Sequence, residues 1–394
     1  MPSPASTFPT SLEPFNADQV PEILDELLET ARHRAASDIH IVPTETSLEV
    51  SWRIDGVLQH AGKFPRQFAV NIVARLKVLS ELLTYRTEIP QEGRIRTSDN
   101  SLDMRVSTFP TLFGEKAVVR LLRTSDHFLQ IDQLGLTPQI HRHLATSLTR
   151  RSGALIVAGP AGSGKTTTLY ACLRGLAGNS DHPVSLASLE DPIESVIDGV
   201  AQSQLNPVAG FDYATGLRSL MRQDPEVIMV GEIRDRETAE TVLQASLTGH
   251  LVLTTFHAGS GTEAIGRLAD MGLEPHLLRS GLAAILCQRL LRRRCQCKQT
   301  TDHTSPQTNL ASPLPNCPRC HGTGYSGRQV IAEWLDPSEP TIAKGILAKQ
   351  DSHSLHSAAV KSGHLDLAQA ASQAVQAGWT TPEEVIRVLG LPAR

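Results

Sequence analysis

The stretch GALIVAGPAGSGKTTTLY, residues 153–170, restricts the fold of this chain more than any other. An apolar run, Ala154–Ala158, leads into the pattern G-x-x-x-x-G-K-T at Gly159–Thr166 and then into a helix-forming segment. That order is what a phosphate cradle requires. Glycines let backbone N–H groups turn inward, the helix start adds a partial positive charge, Lys165 reaches the β- and γ-phosphates, and the Thr166 hydroxyl ligates Mg²⁺. The predicted cradle is Gly159, Pro160, Ala161, Gly162, Ser163, Gly164, Lys165, Thr166 and Thr167.

From 134 to about 290, helical stretches alternate with fully apolar strands, which predicts an α/β fold with a parallel sheet covered on both faces. Ligands of such sheets bind at the C-terminal strand ends. Hydrolysis of a triphosphate needs one group to hold the metal and one to align water. Two strands offer carboxylates there: VSLASLEDPIES presents Glu190, Asp191 and Glu194, and LMRQDPEVIMVGEIRD ends its strand Val227–Val230 in Gly231-Glu232.

The flanks read differently. Residues 1–19 are rich in Pro and Ser and are expected to form a disordered arm. The chain from 20 to about 125 mixes two amphipathic helices with alternating apolar and polar strands, an α+β pattern. The segment 339–394 is helical by its Ala and Leu spacing, and closes on a helix with Thr381 as N-cap, Pro382 in the first turn and Gly390 at the end.

A formal charge of −4 and an aromatic content of 4% offer no general field and few stacking platforms for nucleic acid, so no specific nucleic-acid binding is expected. No apolar run approaches the ~20 residues of a membrane span, and the first residues lack a signal-peptide pattern; a cytoplasmic protein is expected. Of six cysteines, Cys295, Cys297, Cys317 and Cys320 cluster as C-x-C and C-x-x-C, the ligand count of a closed structural zinc site. Cys172 and Cys287 fall in apolar settings and read as core residues. The basic run Arg289 and Arg292–Arg294 reads as a solvated or partner-facing surface.

GPAGSGKTTTLY, SLEDPIE, LRSLMRQDPEVIMVGEIRDRETAE and LTGHLVLTTFHA resemble, in that order, the four signature boxes of the type II secretion and type IV pilus assembly ATPases. ASDIHI, RIDG, EIPQEGRI and DMRVSTFPTLFGEKAVVRLL resemble the N-terminal subdomain of the same family. The resemblance covers about 20–394. It implies a RecA-like P-loop ATPase core over 129–394, with a zinc-binding insertion at 292–328 and a helical C-terminal subdomain at 339–394, behind a smaller PAS-like α+β subdomain at 20–128. ATP is the implied nucleotide. Glu232 is implied to stand in an atypical Walker B position, holding Mg²⁺ through water or bracing the site, and the water-polarising base to come from the EDPIE box, as Glu190 with Glu194 its rival. His250 and His257 would sense the γ-phosphate, and Arg94 and Arg105 would approach the nucleotide from the N-terminal subdomain.

The family works as a homo-hexamer that drives pseudopilus or pilus assembly, or secretion, through an inner-membrane platform protein, and would be peripheral at that membrane. Two departures stand out. One residue rather than two separates Cys295 from Cys297, which leaves His303 or His321 as substitute ligands. Secretion ATPases of this type often carry a further N-terminal recruitment domain, whereas this sequence starts close to the helix before ASDIHI, so the mode of recruitment is not carried over. Pilus retraction ATPases are similarly short but lack the cysteine module, which favours assembly; retraction and a nucleic-acid-translocating ring remain the alternatives.

Overall fold

The computed structural model describes residues 17–96, 103–122, 130–178, 183–297 and 317–390. Packing divides the chain into two compact units, Met1–Thr124 with Cys295–Gly327, and Ser125–Arg294 with Arg328–Arg394. The expected arm lies outside the described residues up to 16; its end, Ala17–Gln19, is a 3₁₀ turn that runs into the first helix. By packing, Cys295–Gly327 groups with the N-terminal unit. The Gly327 N–H donates to Asp55 Oδ2 at 2.9 Å.

In the first unit, α1 (Val20–His33) precedes β1 (Asp38–Pro43), β2 (Ser47–Ile54) and β3 (Val57–Pro65), and α2 (Phe68–Leu79) precedes β4 (Gln91–Arg96), β5 (Asp103–Thr111) and β6 (Gly114–Leu122). The six strands form an antiparallel sheet in the order β3-β2-β1-β6-β5-β4. Its core combines one stripe of each helix, Leu24, Leu27 and Ala31 with Phe68, Ile72 and Leu76, and alternate strand residues such as Ile39, Ile41, Val50 and Trp52. The edge strand β4 is absent from the sequence expectation, because QEGRIR carries one buried apolar residue, Ile95, and little alternation to read.

The second unit runs α3 (Pro138–Leu148), β7 (Gly153–Ala158), α4 (Lys165–Ala177), β8 (Leu186–Glu190), β9 (Val200–Gln204), α5 (Tyr213–Leu220), β10 (Val227–Val230), α6 (Arg236–Leu247) and β11 (Leu251–Phe256). It continues through α7 (Gly261–Asp270), α8 (Pro275–Gly281), β12 (Leu282–Arg294), β13 (Tyr325–Leu335, in this unit from Arg328 on), α9 (Pro340–Leu347), α10 (Ser352–Lys361), α11 (Leu367–Gln376) and α12 (Pro382–Leu389). The sheet order is β13-β12-β7-β11-β10-β8-β9, and each pair from β12 to β9 is parallel.

Strands β7, β8, β10 and β11 are buried throughout, apart from a half-exposed Gly153, because separate apolar clusters cover the two sheet faces. β12 enters the ladder with a bulge at Ala283, between Leu282 and Ala284. Gly153, at φ 113°, accommodates it, since a Cβ there would lie 2.7 Å from the Ala283 Cβ. The closing helix α12 is capped as its sequence predicts: the Thr381 side chain accepts the Glu384 N–H at 3.3 Å, and Gly390 takes the left-handed conformation at φ 68°.

Candidate nucleotide site

The parallel sheet brings four strand ends to one edge. β8 ends in Glu190, and β7, β10 and β11 are followed directly by the cradle loop, Gly231-Glu232 and His257. In the loop, Gly159, Gly162 and Gly164 have φ of 152°, 74° and 88°, values that L side chains adopt only with strain. Gly159 is also crowded, since a Cβ there would stand 2.7 Å from the Gln288 carbonyl. Lys165 opens α4, is buried, and donates to the Gly159 and Pro160 carbonyls at 2.9 Å each. Two of its three protons thus define the turn. Burial lowers its pKa below the ordinary lysine value; Glu232 opposes that shift and Arg289 adds to it.

Glu232 is held beside this lysine. It pairs with Arg234, whose Nη1 also reaches Asp191 Oδ2 at 3.2 Å, and its Oε2 lies 3.6 Å from His257 Nε2. The residue before it must be glycine, because a Cβ at Gly231 would fall 2.6 Å from the Tyr213 hydroxyl. Burial lowers the His257 pKa below 6.5, with Lys165 adding to the shift and Glu232 opposing it. Burial and Lys165 both disfavour the charged imidazole.

Glu190 is 3% exposed and engaged at both oxygens. Ser188 Oγ and Gln202 Nε2 donate to Oε1 at 2.7 and 2.9 Å, and the Tyr170 hydroxyl donates to Oε2. Three of a carboxylate's roughly four acceptor positions are thereby occupied. Glu194 is exposed, and its backbone N–H donates to the same Tyr170 oxygen at 3.0 Å.

The family model for the type II/IV secretion system protein matches residues 15–387. The chain belongs to this family. Among curated members of the type II/IV secretion system family, the putative type II secretion system protein E of Escherichia coli K12 is 40% identical over 388 residues, covering 95% of this chain and 77% of the relative. The type II secretion system ATPase E of Vibrio cholerae is 42% identical over 327 residues, covering 80% and 64%. Among solved structures, the ATPase DotB of Legionella pneumophila superposes with a TM-score of 0.70 at 21% identity over 95% of this chain and 96% of that one. The pilus retraction motor PilT with bound ADP gives 0.63 at 24% identity over 93% and 96%. At these identities the structures show the shared fold alone.

Against the family expectation, His250 does not join the site of this chain. It precedes β11 at the opposite end of the strand from His257, beside Gly153, whose N–H donates to its carbonyl at 3.2 Å. Its Nδ1 is engaged by the Ala245 carbonyl at 3.0 Å. A six-residue strand, ~20 Å long at ~3.3 Å per residue, separates the two histidines.

The basic run is also split. Arg289 is buried, with Nη2 on the Gly259 carbonyl at 2.8 Å and Nη1 on the Gln288 carbonyl at 3.0 Å. Arg292 pairs with the buried Glu384, while Arg293 and Arg294 are exposed. Gln288 braces the cradle itself: Nε2 donates to the Ser163 carbonyl at 2.8 Å, and Oε1 accepts the Thr168 hydroxyl at 3.0 Å. Sequence reading missed Gln288 and Arg234 and placed Arg289 on the surface, since a polar residue within a basic or acidic stretch carries no local mark of burial or partnership.

In the first unit, cross-strand register sets Arg94 beside Arg105, and Arg105 beside Arg120, on β4, β5 and β6. Arg120 is offset by Asp38 at 3.0 Å. Like charges directly opposite each other destabilise a sheet.

The four clustered cysteines converge as well. Their Sγ atoms all lie within 4.8 Å of one another, with Cys295 to Cys317 at 3.8 Å and Cys297 to Cys320 at 3.6 Å. A tetrahedral Zn–S distance of ~2.3 Å demands S···S edges of ~3.8 Å, so the donor set fits zinc despite the single-residue spacing. No histidine belongs to this group among the described residues, and His303 lies outside them. Cys172 and Cys287 are core thiols, each pushed up to about 12, mainly by burial.

Proposed function

We propose that this family member is an ATP-hydrolysing motor subunit, acting as a ring of six that drives pseudopilus or pilus assembly, or secretion, from the cytoplasmic side of the inner membrane through a platform protein. The observation that carries the reading is the meeting of Lys165, Glu232 and His257 at one edge of the parallel sheet, directly beside a left-handed glycine loop.

In this reading the backbone N–H groups of the loop and the start of α4 receive the phosphates, and Lys165 exchanges its two carbonyl acceptors for phosphate oxygens. Thr166 and Glu232 would hold Mg²⁺, which supplies charge neutralisation on the phosphates. Arg234 pairs with Glu232 and Asp191, and Glu232 would have to release it to hold the metal. Glu190, fixed by three neutral donors with one acceptor position to spare, orients the attacking water; exposed Glu194 is its rival. Arg94 and Arg105 supply positive charge to the transition state. Cys295, Cys297, Cys317 and Cys320 would hold one structural Zn²⁺.

The test is Mg²⁺-dependent phosphate release by the assembled protein, compared with Lys165→Ala, Glu190→Gln and Glu194→Gln. Loss of turnover with retained nucleotide binding in Glu190→Gln, and not in Glu194→Gln, supports the assignment. Absence of phosphate release from the assembled wild type overturns the reading.

A further inference from the structure

We infer that Glu333 is a positioning residue tying the loop that carries His257 to the C-terminal helices, so that occupation of the phosphate cradle alters the start of α11. The inference rests on the nucleotide-site reading above. Glu333 lies on β13 and is 2% exposed. Its two oxygens serve two different helix starts: Oε1 accepts the N–H of Gly261, the first residue of α7, and Oε2 accepts the N–H of Leu367, the first residue of α11, at 3.1 Å. Donors in the first turn have no partner inside their own helix. A buried carboxylate between two such ends satisfies one from each, and both positive helix termini favour its charge.

The segment from His257 to Gly261 has little freedom to absorb a displacement. Arg267 donates to the His257 carbonyl, Arg289 Nη2 donates to that of Gly259 at 2.8 Å, and the Gly259 N–H donates to Glu263 Oε2 at 2.8 Å. At Gly261 a Cβ would stand 2.9 Å from the Leu335 Cβ, so the loop is pressed against β13 where Glu333 grips it. Any shift of His257 towards a γ-phosphate therefore moves a chain pinned at two points. The Gly261 N–H then pulls on a carboxylate that cannot follow without loosening Leu367, since His364 Nε2 also flanks Oε2, at 3.8 Å.

The test is hydrogen exchange on the full chain with and without Mg²⁺ and adenylyl imidodiphosphate, a non-hydrolysable ATP analogue. Expected are added protection at 159–167 and, with it, a change at the first amides of α11. Glu333→Gln, which keeps one acceptor oxygen in place of two, should retain the first response and lose the second. Protection of 159–167 in wild type without any change at α11 overturns the coupling, as does a variant that still shows the α11 response. No protection at 159–167 in wild type removes the nucleotide reading and the coupling with it. If Glu333→Gln fails to fold, the wild-type comparison alone decides.

Discussion

Lys165 Nζ lies 2.9 Å from the Gly159 carbonyl, so the charge proposed to meet phosphate also closes the turn that precedes it. Lys165→Ala removes both functions. ATP turnover should fall by about a hundredfold or more, the scale of losing one preorganised charge donor, as phosphate release with saturating Mg²⁺ will measure. Because the loop loses its clamp as well, nucleotide affinity should fall too, unlike the outcome for Glu190→Gln.

Gly231 yields a packing prediction. Gly231→Ala drives a methyl group against the Tyr213 hydroxyl, 2.6 Å from the new Cβ. The expected cost is about 1–3 kcal/mol, that of overpacking a core. Adding Tyr213→Phe should recover most of it, because the next Tyr213 atom, Cζ, is at 3.4 Å. Urea unfolding of the single and double variants measures the recovery.

His257 should titrate below the ordinary 6.5 in the absence of nucleotide, since burial first and then Lys165 disfavour its charged form. For a histidine with a lowered folded value, the neutral form is the one the fold prefers. Its contribution is whole above 6.5 and is lost as the pH falls through the depressed value. Glu232→Gln removes the opposing negative charge and should lower the midpoint further, whereas Lys165→Met should raise it. Imidazole C–H resonances followed by NMR report both.

Glu384 is fully buried, with Arg292 Nε and Nη2 at 2.9 and 2.8 Å and Arg387 at 2.6 Å. Burial pushes its pKa up, but the hydrogen bonds from Arg387 and then Arg292 outweigh this and hold it below 4.5. Its stabilisation is therefore present above 4.5 and lost as the pH falls through the lowered value. Glu384→Ala leaves two arginines facing a gap and should cost about 3–5 kcal/mol, read as the loss of resistance of α12 to proteolysis.

The cysteine cluster predicts a thiol count. Metal-loaded native protein should show almost no reactive thiol, and a strong chelator should expose four. Cys172 and Cys287, buried and with raised pKa values, should react only after unfolding. Six reactive thiols in chelated native protein would contradict their placement in the core.

Where a residue's surroundings lie close by in the chain, the sequence was readable. The strand, loop and helix around Lys165, the strand Val227–Val230 and the capped helix Pro382–Leu389 all follow from periodicity and local turn chemistry. The unreadable features depend on distant partners. Nothing near Gly231 announces Tyr213, and nothing in RLLRRRCQC separates the buried Arg289 from the exposed Arg293. His250 and His257 look equivalent as flanks of one strand until the parallel register assigns them to opposite ends. β4 pairs through its backbone, with too few apolar side chains to betray it.

The bulge at Ala283 makes β12 unequally tolerant of changes in length. It holds one residue outside the ladder, so that Ala284 pairs with Leu155 and Cys287 with Ala158. Shortening the chain by that residue leaves the later pairing intact, whereas an insertion between Ala284 and Gln288 moves every following side chain to the other face. Gln288 would then turn away from Ser163 and Arg289 from Gly259. Within this strand, indels should be accepted at its first step and rejected along the rest.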